Sequence, residues 1–196
     1  LYPTITITAE MCATRPDLKP LLGQELTVIA WLWARTVRSA NPAYSHCQVP
    51  LVSSFILSSK AGKEAYVEPV IAGDNYRFSV KMGKPPAAAK NGTKAARGAN
   101  FTCLLSGSPL DDGYIKSECA ADRVGVRLMT IIAEGKNGRV YLSPTAEMEA
   151  VAHSAQPSWQ PDVVISGNTR HIGVLPYGMT QFSELFTARQ LTALST

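Results

Sequence analysis

Leu26 to Val37 reads LTVIAWLWARTV, and Ser39 to Cys47 continues it as SANPAYSHC. The first string is rich in β-branched and aromatic residues and carries no helix-breaking or capping signal, so it predicts a strand buried on both faces. Working outward, Pro50 to Leu57 is a second strand and Lys60-Ala61-Gly62-Lys63 a turn. Glu64 to Ile71 and Asn75 to Lys81 form a pair joined at Ala72-Gly73-Asp74, which makes residues 26 to 81 a β-meander. Ala99 to Cys103 is a short strand, and Leu105 to Pro109 a tight turn. Val124 to Glu134 and Arg139 to Leu142 bracket Gly135-Lys136-Asn137-Gly138, a hairpin signal because Asn-Gly tolerates positive φ. Ser143-Pro144 opens a helix running to about His153, with Glu147 and Glu149 where the dipole favours acids. Ala155 to Thr180 is Pro- and Gly-rich and reads as an extended connector, and Thr187-Ala188-Arg189-Gln190 is a capping box that starts a last helix. The expected fold is α+β, mainly antiparallel β with two or three short helices.

With 45% apolar residues among 196, the chain can build a real core as one large domain or two small ones. Leu1 in place of Met suggests a processed chain or a piece of a longer one. The opening residues lack a signal peptide's basic flank and continuous apolar run, and Leu26 to Ala34 is too short to span a bilayer. A soluble, cytoplasmic chain with no membrane partner is expected. Cys12, Cys47, Cys103 and Cys119 are scattered, which favours reduced thiols over a disulfide framework. The net charge of +4 is concentrated in KMGKPPAAAKNGTKAAR, where Lys81, Lys84, Lys90, Lys94 and Arg97 occur without an acid. Its Gly, Pro and Ala content predicts a mobile basic loop over residues 82–100, either a phosphate-contacting arm for nucleic acid or a solvated loop.

Two chemistries compete at SANPAYSHC. Asn41-Pro42-Ala43-Tyr44 is one residue from the N-P-P-Y loop with which amino-methyltransferases hold an adenine, but such an enzyme also needs a Gly-rich cofactor turn between a strand and a helix, and none occurs here. His46, His153 and His171 stand outside any nucleophile or zinc-protease motif, and Asp111-Asp112 beside Gly113 reads as turn-forming. No catalytic residue is expected in this stretch.

The alternative is a zinc ribbon, whose two knuckles each present a pair of ligands on a turn. Residues 27 to 45, TVIAWLWARTVRSANPAYS, resemble T-V-I-A-W-L-W-A-R-T-V-x-C-P-N-P-x-C-G, and Cys103-Leu104-Leu105-Ser106-Gly107 resembles C-L-x-C-G. Further strings follow: Pro50-Leu51-Val52, Val67-Glu68-Pro69, Gly83-Lys84-Pro85-Pro86, the run AEGKNGRVYLSP from Ala133, and YGMTQFSELFTARQL from Tyr177. Together they resemble the adenine-specific DNA methyltransferases that carry a zinc-ribbon insert between their cofactor-binding and catalytic halves.

That resemblance implies an internal non-catalytic domain of an N6-adenine DNA methyltransferase, orienting DNA or supporting the two halves. The parent enzyme would use S-adenosylmethionine, and its partners would be double-stranded DNA and the remaining halves. Phe186 and Thr187 match the segment that borders the methyl-donor pocket, and Lys81, Lys84, Lys90, Lys94 and Arg97 become the DNA-contact residues. The implied arrangement is an extension at 1–25, a β-rich, degenerate zinc-ribbon-like domain at 26–143 and a helical connector at 144–196. Ser39, Tyr44 and Ser106 occupy three of the four cysteine positions, leaving Cys103, with His46 and Cys47 as an adjacent pair too awkward for chelation. A ribbon held by packing, without zinc, is therefore expected, with Tyr44 packed where the metal would sit. The competing reading is a structural or protein-interaction insert that never touches DNA.

Overall fold

The structure, a computed structural model, describes residues 3–167 and 173–195, so His171 lies outside the described residues. In chain order the elements are β1 (Thr4–Thr6), α1 (Ala9–Thr14), a 3-10 turn at Pro16–Leu21, β2 (Glu25–Arg38), β3 (Gln48–Leu51), β4 (Ile56–Ser58), β5 (Ala65–Ala72) and β6 (Asn75–Met82). They continue as β7 (Lys94–Ala96), β8 (Asn100–Thr102), β9 (Pro109–Leu110), α2 (Asp112–Ala120), β10 (Gly125–Gly135), β11 (Gly138–Leu142), α3 (Ala146–His153) and α4 (Ala188–Leu194). The class is α+β and mainly antiparallel, as expected. One sheet is ordered β1-β2-β10-β11 with β3 also pairing β2, and the others are β4-β5-β6 and β7-β8-β9. No helix among the described residues is long and apolar enough to cross a membrane.

The chain divides into two units built from interleaved segments. Leu1–Ala34, Ser53–Gly92 and Leu128–Pro144 make the first, and Arg35–Val52, Thr93–Arg127 and Thr145–Thr196 the second. β2 and β10 each pass from one unit to the other.

In the first unit, the chain joins the sheet from its first described strand. β1 pairs with the start of β2 through Thr4↔Thr27 and Ile5↔Leu26, and Ile7 is buried. β5 and β6 form the expected hairpin, with Ala72↔Asn75 closing at Gly73-Asp74. The β10–β11 hairpin is also as expected, and its positive φ falls on Gly138, at 119°. Ala65, Val80, Ile132 and Tyr141 pack together, with Ala30, Leu32 and Leu57 against them. Val67 N–H bonds to Phe55 O at 2.8 Å rather than to β6, so Val67/Val80 is a non-hydrogen-bonded pair and the Val80 backbone groups face outward. Ser143 Oγ accepts from Val80 N–H at 2.9 Å, and the buried Arg15 donates to the carbonyls of Val80 (3.3 Å) and Tyr141 (3.1 Å). Ser143 is thereby used up, and Thr145, not Ser143, caps α3 by accepting from Met148 N–H. The capping residue needs a free side-chain oxygen, which explains the shift of two positions.

In the second unit, the tail of β2 pairs with β3 through Arg35↔Leu51 and Val37↔Val49. Val37, Val49, Phe101, Cys103, Leu110 and Ile115 form its core. Helix α2 is absent from the sequence reading. Asp111 Oδ1 accepts from Tyr114 N–H at 2.7 Å, so the acid taken for a turn former is an N-cap, and Ile115 supplies the buried face. The box at Thr187 is present in full, with Gln190 Oε1 accepting from Thr187 N–H at 2.8 Å. Within the expected connector, Leu175–Tyr177 is a 3-10 turn and Val164 bridges to Gln181 just beyond it.

Two further expectations are corrected. β2 is not buried on both faces: Leu26 and Val28 are buried while Ile29 is 42% exposed and both tryptophans are half-buried. One side of an antiparallel strand commonly stays wet, and the apolar density here outruns the burial. Nor is 82–100 without regular structure, since it contains a 3-10 turn at Ala87–Lys90 and strand β7. In the first unit Ala89 is buried and its carbonyl accepts from Phe55 N–H at 2.8 Å. In the second, the buried Thr93 donates to Pro50 O and accepts from Val52 N–H, each at 2.9 Å. Composition missed these bonds because both partners lie some forty residues away in sequence.

Candidate functional site: two facing turns around Cys103

The two turns at SANPAYS and CLLSG lie in the second unit and meet. β2 ends at Arg38, which delivers Ser39, and β8 ends at Thr102, which delivers Cys103. Both side chains are buried, and Ser39 Oγ lies 3.2 Å from Cys103 Sγ. Asn41 N–H donates to Ser39 Oγ at 3.2 Å, and Asn41 Oδ1 accepts from Ala43 N–H at 3.0 Å, capping a 3-10 turn at Pro42–Tyr44. The Asn41 amide also reaches Ser108 Oγ at 3.4 Å, so one turn is tied to the other twice. Ser108 had no signal in the sequence beyond its place next to Gly107, where φ is 72°.

Around the thiol the backbone folds back tightly. Cys103 N–H donates to Ser108 O at 2.8 Å and Gly107 N–H to Cys103 O at 2.9 Å. Burial pushes the Cys103 thiol up, but bonds from the Ser106 and Ser39 hydroxyls and from the Ser106 and Leu105 N–H groups outweigh it and hold the thiol below its ordinary range. Hydroxyl and amide donors converging on one sulfur favour its anion, the form that ligates metals.

The remaining sequence-derived residues do not converge there. Cys47 is buried, His46 is exposed, and their ligand atoms lie within 4.8 Å of each other in a group that does not include Cys103. Tyr44 is half-buried at the end of its turn, and the groups touching the sulfur are Ser39 and Ser106. Asp112 accepts from Tyr177 OH at 3.2 Å and pairs with Lys116 four residues on.

The basic residues of the 81–97 run stand in different local settings. Lys81 stands 3.4 Å from Glu68, and Lys84 and Lys90 are exposed, all in the first unit. Lys94 and Arg97 belong to the second, where Lys94 Nζ sits 4.4 Å from the Phe101 ring centroid and donates to the Gly98 carbonyl. Phe186 is 41% exposed, while Thr187 is occupied as a helix cap. No family model, curated protein or solved structure matches the chain.

Proposed function

We propose that this chain is an internal, non-catalytic domain of an adenine-specific (N6) DNA methyltransferase, acting to orient duplex DNA or to support the cofactor-binding and catalytic halves. S-adenosylmethionine would be the parent enzyme's methyl donor, with Phe186 and Thr187 bordering its pocket. One observation carries the reading: the two segments that resemble zinc knuckles face one another through Ser39 and Cys103, with N–H groups converging on the sulfur. Ser39 and Ser106 replace thiolates that would repel one another without a metal, and their hydroxyls bond to the remaining sulfur.

Restoring the ligands tests it. Ser39→Cys, Tyr44→Cys and Ser106→Cys combined should take up one zinc, or one cobalt with a tetrahedral thiolate spectrum, while the wild type takes up none. Failure of the triple variant to bind, or stoichiometric zinc in the wild type, refutes the reading. A methyl-transfer assay with S-adenosylmethionine should be blank for this chain, because the carboxamide of Asn41 is engaged on Ala43 and Ser108.

A structural or protein-interaction insert is the second reading, and a specific observation favours it. Trp159, Val163, Val164 and Phe186 of the second unit are all exposed, more large apolar surface than a connector needs.

A further inference from the structure

We propose that the DNA-contacting surface lies at one end of the first unit, where three turns bring Lys60, Lys63, Lys84 and Lys136 together to take the phosphate backbone of duplex DNA. This rests on the DNA-orienting reading and says which surface performs it. The four lysines are 76 residues apart at the extremes of the sequence, and only strand pairing collects them.

β4 and β5 pair through Ser58↔Ala65, which sets residues 59–64 as the turn at that end. β5 and β6 pair through Ala65↔Met82, and Gly83 N–H donates to Glu64 O at 2.9 Å, which brings Lys84 beside the same turn. Lys63 Nζ then donates to Asn137 O at 2.5 Å, joining the β10–β11 turn to it. Lys60, Lys63, Lys84 and Lys136 are all exposed. The Glu64 carboxylate is the acid within these turns, and Glu134 stands in register with Arg139 across the ladder.

Lysines suit this task because an ammonium on a flexible stem is a point charge that engages phosphate without a fixed geometry. Turn tips present such charges to an extended polyanion, and each neutralised phosphate releases counterions. In the more basic run from Lys81 to Arg97, Lys81 is paired with the Glu68 carboxylate and Lys94 lies over the Phe101 ring, whereas the bond of Lys63 is to a neutral carbonyl and leaves its charge uncompensated.

Binding of a fluorescent DNA duplex, titrated against salt, tests the surface. With four phosphate contacts the logarithm of affinity should fall with that of salt at a slope near −3.6, about a hundredfold between roughly 50 and 200 mM. Lys60→Gln, Lys63→Gln, Lys84→Gln and Lys136→Gln combined should make the slope shallower by about 3 to 4, while the same positions changed to Arg keep it. Lys90→Gln with Arg97→Gln should leave it unchanged, and thermal unfolding verifies that every variant is folded. A slope unaffected by the four glutamines overturns this surface and leaves the DNA-orienting reading standing. A wild type that ignores duplex at low salt overturns both, as does one that binds phosphatidylserine-containing vesicles instead.

Discussion

Replacing Arg15 with Met removes a guanidinium that ties two strands of the first unit together. Arg15 is buried and makes a paired contact with Asp17, Nε to Oδ1 and Nη2 to Oδ2, both at 2.7 Å. Its other terminal nitrogen donates to Val80 O and Tyr141 O, one on β6 and one on β11. Losing a charged donor to a buried carbonyl costs about 1.5 to 3 kcal/mol, and the longer of these two bonds belongs at the low end. The ion pair adds no more than about 1 kcal/mol, because the Asp17 side chain is 42% exposed and solvent screens it. Arg15→Met should therefore cost about 3 to 4 kcal/mol and Asp17→Asn about 1 kcal/mol, since Asn leaves both carbonyl bonds intact. Equilibrium urea unfolding reads these as a lower midpoint at constant slope.

The same pair gives a pH signature. Arg15's hydrogen bond holds the Asp17 carboxyl below its usual range, so its folded value is depressed. Its stabilisation is then fully present above the unfolded carboxyl pKa of about 3.9 and lost as pH falls through the folded value. The acid limb should flatten in Arg15→Met. A loss below about 1 kcal/mol for Arg15→Met would refute the reasoning, because it would mean that the two carbonyls find water without the guanidinium.

Three other outcomes follow from the second unit. Cys103, depressed in the fold, should contribute stability that grows with pH on the approach to the ordinary thiol range, and Ser39→Ala should reduce that contribution in pH-dependent unfolding compared with the wild type. Gly125→Ala should cost about 1 to 3 kcal/mol in the same assay, since an added Cβ would meet the buried Thr36 Oγ1 at 2.7 Å; no loss would mean that β10 shifts freely there. Leu110→Ala, at a fully buried position of the core, should cost about 2 to 5 kcal/mol, and a value below 1 would show that the site collapses onto the gap.

What was legible in the sequence was chemistry confined to a few neighbouring residues. Asn137-Gly138 announces its hairpin, Gly73-Asp74 its turn, and Thr187 with Gln190 its cap, because each needs only local dihedrals and short hydrogen bonds. Helices α1 and α2 escaped because they are short and announced by caps, Thr8 and Asp111, with few apolar residues to set a period. The order in 82–100 escaped because its anchors, Phe55 for Ala89 and Pro50 and Val52 for Thr93, are long-range. At the site, the two turns holding Ser39 and Cys103 were marked in the sequence by their Asn-Pro and Ser-Gly steps, but the part of Ser108 and the gathering of turn lysines were not. Both depend on which strands pair, and single-sequence patterns carry little of that.

The interleaving of the two units also has a meaning for the order in which the chain is made. Residues 53–92 leave the ribosome with β1 and the start of β2 already made, yet the first unit has no β10–β11 hairpin until residue 144 has emerged. At about 5 to 20 residues per second, the stretch from 92 to 144 takes roughly 3 to 10 s. During that interval Val80 N–H awaits Ser143, and Arg15 awaits the Tyr141 carbonyl. The β4-β5-β6 meander is held open, its outward-facing edge unsealed, until a serine 63 residues downstream closes it.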